Sequence, residues 1–131
     1  MSKLTEIESA VLDKLLEGEL PALASLRGQL PMLDVTKREF TGVGFFTEFA
    51  HPAGVARLHS PRRVAFGDVL ADIDGLEYGA GFVLFVEDGI ITVLEGYSTA
   101  NESWPESIER FSLRYWSAER DLSPLQTAEK P

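Results

Sequence analysis

The stretch Gly81–Tyr97, GFVLFVEDGIITVLEGY, decides the fold. At its centre Asp88-Gly89 is a two-residue turn signal of the primed kind, in which both positions need φ > 0, and apolar runs flank it symmetrically. That turn predicts Glu87 opposite Ile90, Val86 opposite Ile91, Phe85 opposite Thr92, Leu84 opposite Val93, Val83 opposite Leu94 and Phe82 opposite Glu95. One face then carries Phe82, Leu84, Val86, Ile91 and Val93; the other carries Val83, Phe85, Ile90 and Leu94. An antiparallel hairpin with one wet side alternates apolar and polar residues. Two apolar faces imply that the pair lies in the middle of a sheet covered on both sides, or lends one face to a partner.

Working outward, Ile108–Trp116 places Phe111, Leu113 and Tyr115 on one side and Arg110, Ser112 and Arg114 on the other, the alternation of a half-exposed strand. Val35–Phe49 is also strand-like, with Val43, Phe45, Thr47 and Phe49 on one side, while Gly42 and Gly44 remove side chains from the opposite side and suggest a bulge or bend. Val64–Ile73 reads as one or two short strands around Gly67, followed by an Asp74-Gly75 turn. A single helical turn is expected near Pro105.

At the N-terminal side, Leu4, Ile7, Val11, Leu12, Leu15 and Leu16 recur at helical spacing, and Leu23, Leu26 and Leu30 continue after Pro21, which suits a first helical turn. The expected fold is α+β: an N-terminal helical hairpin packed on a four- to six-stranded, mainly antiparallel sheet. A single domain is expected over residues 1–117, with 118–131, polar and aperiodic, as a flexible C-terminal tail.

The chain has 131 residues and no cysteine, which excludes disulfides, thiolate metal sites and cysteine nucleophiles. Twenty-one acidic against 12 basic residues give a net charge of −9. This argues against nucleic acid and anionic membranes as partners, since both select a surplus of Lys and Arg, and it suits a basic protein partner. Acidity also serves solubility alone. The opening residues are acidic where an export signal needs a basic start, so a cytoplasmic setting is expected.

No recognised catalytic pattern stands out. Gly42-Val-Gly44 and Gly79-Ala-Gly81 lack the third glycine of a dinucleotide fingerprint and run into strands. Asp72-Ile-Asp74-Gly75 lacks the outer ligands of a calcium loop. His51, Arg57, His59, Arg62 and Arg63 form the only local surplus of positive charge and are the candidate anion site, with Arg forks for recognition and a His for proton transfer. Two histidines are too few to specify a metal, and no cofactor is expected. Glu95 is a candidate perturbed acid at the edge of an apolar surface, with Arg114 as a candidate partner. Tyr97, Glu102, Trp104, Glu106 and Trp116 are the candidate partner-binding residues, because aromatics interspersed with acids suit a basic protein surface. Core packing is the competing reading of these aromatics.

The segments Arg38–Phe49, Gly79–Gly89, Leu94–Tyr97 and Trp104-Pro105 are similar to small single-domain bacterial proteins of uncharacterised function. The resemblance runs from about the second helix to the last strand. It implies a bacterial, cytoplasmic setting and brings no activity. The leading expectation is a non-enzymatic acidic binding module, immunity- or antitoxin-like, that engages a basic protein or a second copy of itself as a homodimer. The rival is a small-molecule or anion-binding domain or enzyme that uses the His51–Arg63 loop.

Overall fold

The computed structural model describes residues 3–58 and 63–125. Two short helices, α1 (Glu6–Leu15) and α2 (Pro21–Arg27), precede seven strands: β1 (Asp34–Phe40), β2 (Gly44–Ala50), β3 (Val64–Phe66), β4 (Val69–Ile73), β5 (Ala80–Glu87), β6 (Ile90–Ser98) and β7 (Phe111–Tyr115). All pairings are antiparallel. The order is β1-β2-β6-β5-β4-β7, and β3 pairs with the distal part of β5, beyond the residues that β4 engages. The fold is therefore α+β, with one strand more than the upper expectation. Val35–Phe49 folds back around Gly42 (φ 93°) into two strands, and Gly67 divides Val64–Ile73 into two more.

α1 begins at a capping box. The Thr5 hydroxyl accepts the Glu8 N–H, and the Glu8 carboxylate accepts the Thr5 N–H. Val11, Leu12, Leu15 and Leu16 are buried along its inner side, and Ala22, Leu23 and Leu26 extend the same cluster from α2. These residues meet Phe45, Phe82, Leu84, Val86, Ile91 and Leu94 on the inner face of the sheet, so the main core lies between helices and sheet. Gln29, fully buried after α2, donates to the Ala56 and Gly89 carbonyls and accepts the Ile91 N–H. It ties the chain after α2 to the central turn.

The turn is of the expected primed type, with φ of 52° at Asp88 and 78° at Gly89. A Cβ at Gly89 would also collide with the Leu58 backbone, which packs against the turn. The predicted register holds for Glu87–Ile90 and Val86–Ile91 and then fails. Thr92 is bulged out, its hydroxyl bonded to the Phe85 carbonyl, so the pairs beyond it are Phe85–Val93, Leu84–Leu94, Val83–Glu95, Phe82–Gly96 and Gly81–Tyr97. One extra residue exchanges the two faces of β6. Leu94 turns into the core, while Val93, Glu95 and Tyr97 turn outward.

The outer face is not covered as the hairpin pattern implied: Val83, Phe85, Ile90 and Val93 are only half-buried. Residues 118–125, read from the sequence as part of a flexible tail, are docked. Arg120 forms two hydrogen bonds to Asp68 and also donates to the Leu15 and Glu17 carbonyls, while Leu125 is fully buried. Near Pro105 no helical turn forms; instead the Trp104 N–H bonds to the Gly42 carbonyl at 2.8 Å. No described helix is long and apolar enough to cross a membrane.

Candidate partner-binding surface

Cross-strand pairing assembles the centre of the outer face from three strands, β2, β6 and β5. Phe46 on β2 stands beside Glu95 on β6, and Val83 on β5 stands on the other side of Glu95. Val93 and Tyr97 flank the carboxylate along its own strand. Tyr97 lies over Gly81, where a Cβ would run into the phenol ring, so glycine permits the aromatic side chain to lie across the sheet. Phe46 and Tyr97 keep 37% and 36% of their surface exposed, enough for both to contact a partner.

Glu95 is half-buried in this apolar setting, and burial raises its pKa above the usual carboxylate value. Among the described residues it has no hydrogen-bond or ion-pair partner. The expected partner, Arg114, pairs instead with Asp72 at 2.9 Å. On the same face Lys37 pairs with Glu39 at 3.6 Å and Arg63 with Glu87 at 3.3 Å, while Glu48, exposed opposite Val93, forms no ion pair among the described residues. Arg63 also covers the Phe85 ring, at 4.8 Å from its centroid. The apolar centre of this face thus holds a half-buried, unmatched carboxylate at Glu95, and the other charges, paired and unpaired, lie toward its margin.

The sequence-derived candidates fall on different surfaces. Tyr97 and Glu95 share the outer face, whereas Trp104 and Glu106 lie at a groove beside α1. Glu102 is spent inside the fold, accepting the Glu77 and Tyr78 N–H groups at 2.8 Å each. Trp116 is 72% exposed and lines a separate shallow cavity with Asp68 and Arg120.

Among the described residues, the anion-site candidates do not form a comparable centre. His51 donates from Nε2 to the Ile91 carbonyl at 2.6 Å, Arg63 is engaged as above, and Arg57 is exposed. His59 and Arg62 lie outside the described residues. No group of three or more His, Asp or Glu among the described residues is arranged to hold a metal.

A second polar centre, not foreseen from the sequence, is Glu8. It is 1% exposed and takes bonds from Arg38 Nη2 at 2.7 Å and Nε at 3.0 Å, from the Thr5 N–H and from the Thr47 hydroxyl. Burial alone would raise its pKa, but the bonds from Arg38, Thr47 and Thr5, with the Arg38 charge, hold it below the ordinary value. With both oxygens occupied, Glu8 is a structural pin and has no proton-transfer partner to spare. Phe46 and Phe40 were also missed. Phe46 follows Gly44 in the alternation that places Glu48 on the same side, a visible signal for an exposed aromatic row.

Comparison of the chain with protein-family models, with curated proteins and with solved structures found no match.

Proposed function

We propose that this chain is a non-enzymatic acidic binding module, of the immunity or antitoxin kind, whose outer sheet face docks on a basic protein. The observation that carries the reading is Glu95: a half-buried, unpaired carboxylate between Phe46, Val83 and Tyr97. Its partial burial costs free energy in the isolated protein, and an Arg or Lys from a partner would recover that cost as docking excludes the remaining water. Aromatic neighbours add stacking surface for a guanidinium. The net charge of −9 steers a basic partner toward the protein without itself specifying the contact.

Self-association fits this face less well. A twofold axis through the apolar centre would bring two Glu95 carboxylates together, and like charges at close range oppose one another.

The test is affinity capture from native cells, with the full chain as bait, followed by measurement on the purified partner. A basic protein should bind stoichiometrically, lose affinity as salt rises, and be released by Glu95→Lys. Truncating one side of a buried interfacial charge pair typically costs about 2–5 kcal/mol, so Glu95→Ala should weaken binding by roughly 30-fold or more. Binding that is indifferent to both Glu95 substitutions would refute the reading.

A further inference from the structure

Beside α1 the edge of the sheet opens into a cavity of about 280 Å³, lined by Ile7, Arg38, Phe40, Phe45, Trp104 and Ile108, among others. A second cavity of about 270 Å³ continues past Phe40, Trp104 and Pro105 to Gly42. The two share Phe40, Trp104, Pro105 and Glu106, so they adjoin along one groove wall. Phe40 is 64% exposed at its rim, and Trp104 is held edge to face against Phe45 with ring centroids 5.5 Å apart.

The unpaired charge in the lining of this groove is acidic. Arg38 lines it, but its guanidinium is neutralised by the buried Glu8. Glu6 from α1 and Glu106 from the segment after Trp104 are both exposed, and neither forms an ion pair among the described residues. Aromatic walls with acidic groups at the rim attract a cation carried on an apolar stem: aromatic faces favour the charge, the stem fills the apolar channel, and the carboxylates neutralise the head group. A purely apolar ligand would leave both carboxylates unused.

We propose that this groove binds an extended segment of a protein partner by taking up one of its arginine or lysine side chains. The two adjoining cavities favour a peptide over a lone small cation, because one can take the anchor side chain while the other leaves room for its neighbours. The inference rests on the reading of this chain as a module for basic partners, but it concerns a different surface from the face around Glu95.

The groove is tested without the native partner. Trp116→Phe leaves Trp104 as the sole tryptophan. Its fluorescence is then followed while acetyl-Gly-Gly-Arg-Gly-Gly-amide, the lysine and citrulline counterparts, and free butylguanidine are titrated in. The arginine or lysine peptide should give a saturable change that weakens with salt, the citrulline peptide none, and butylguanidine should bind more weakly. Phe40→Ser and Glu106→Lys, both at exposed positions, should each weaken the peptide by about tenfold while leaving the unfolding midpoint nearly unchanged.

No saturable change up to about 10 mM of either cationic peptide would overturn the proposal, as would citrulline binding equally well. Equal affinity for butylguanidine and the peptides would make the groove a small-cation site and overturn the peptide assignment. Glu95→Lys should leave peptide binding intact. If the peptides fail to bind while capture of a basic protein remains sensitive to Glu95, the groove proposal alone falls; if capture fails while the peptides bind, the outer-face reading alone falls.

Discussion

Arg38→Met tests whether the Glu8 centre is a buried charged pair that holds α1 to the sheet. The substitution keeps much of the apolar stem and removes the guanidinium, so Glu8, 1% exposed, would retain only the Thr5 N–H and the Thr47 hydroxyl as partners. Removing one member of such a pair costs about 3–5 kcal/mol, a large share of the roughly 5–15 kcal/mol that stabilises a typical domain. With a urea slope near 1–3 kcal/mol per molar, the unfolding midpoint should fall by roughly 2 M. The pH dependence supplies the more specific test. In the native protein the Glu8 pKa is depressed, so its contribution is present above the ordinary carboxylate pKa and is lost as pH falls through the lowered value. In Arg38→Met burial acts against fewer stabilising bonds, so Glu8 should bind a proton more readily and the variant should recover part of its deficit on acidification. The stability gap should therefore narrow between about pH 7 and pH 4, and Glu8→Gln combined with Arg38→Met should recover part of the loss at about pH 7. A gap under about 1 kcal/mol at neutral pH, or one that does not change with pH, would refute the charged-pair reasoning.

Three further outcomes are expected. Gln29→Ala removes bonds to Ala56, Gly89 and Ile91 from a fully buried side chain, and chemical denaturation should show a loss of about 3–5 kcal/mol, with faster amide exchange at the Ile91 N–H. Glu95→Gln should modestly stabilise the isolated chain at neutral pH. The Glu95 pKa is raised by burial, so its ionisation erodes stability as pH rises from the ordinary carboxylate value through the raised one; urea curves at about pH 4 and pH 7 should show the advantage only at the higher pH. Tyr115, whose hydroxyl donates to Glu17 and to the Lys14 carbonyl, has its pKa pushed up to about 12, by burial first and the Glu17 bond next. In an ultraviolet titration one of the three tyrosines should ionise late, and Tyr115→Phe should abolish that step.

The chain's local grammar was legible where short-range geometry governs it. Asp88-Gly89 specifies a primed turn because both residues must take positive φ, and the leucine spacing before Gly18 specifies a helix with one buried side. Strict alternation in Phe111–Tyr115 likewise announces a half-exposed strand. Among the candidate site residues, Tyr97 and Trp104 were recognisable as aromatics near acids. Their separation onto different surfaces was not.

Tertiary contacts decided the rest. The Thr92 bulge, its hydroxyl bonded to the Phe85 carbonyl across the strand pair, reverses the faces of β6 beyond it. This places Glu95 outside beside Phe46. Arg38 finds Glu8 from 30 residues away, and Gln29 reaches Gly89 from 60, separations at which neither member marks the other in the sequence. Propensity and periodicity describe how neighbouring residues orient along the chain, whereas a bulge, a buried ion pair or an uncovered face depends on which distant segments compete for the same space and hydrogen bonds.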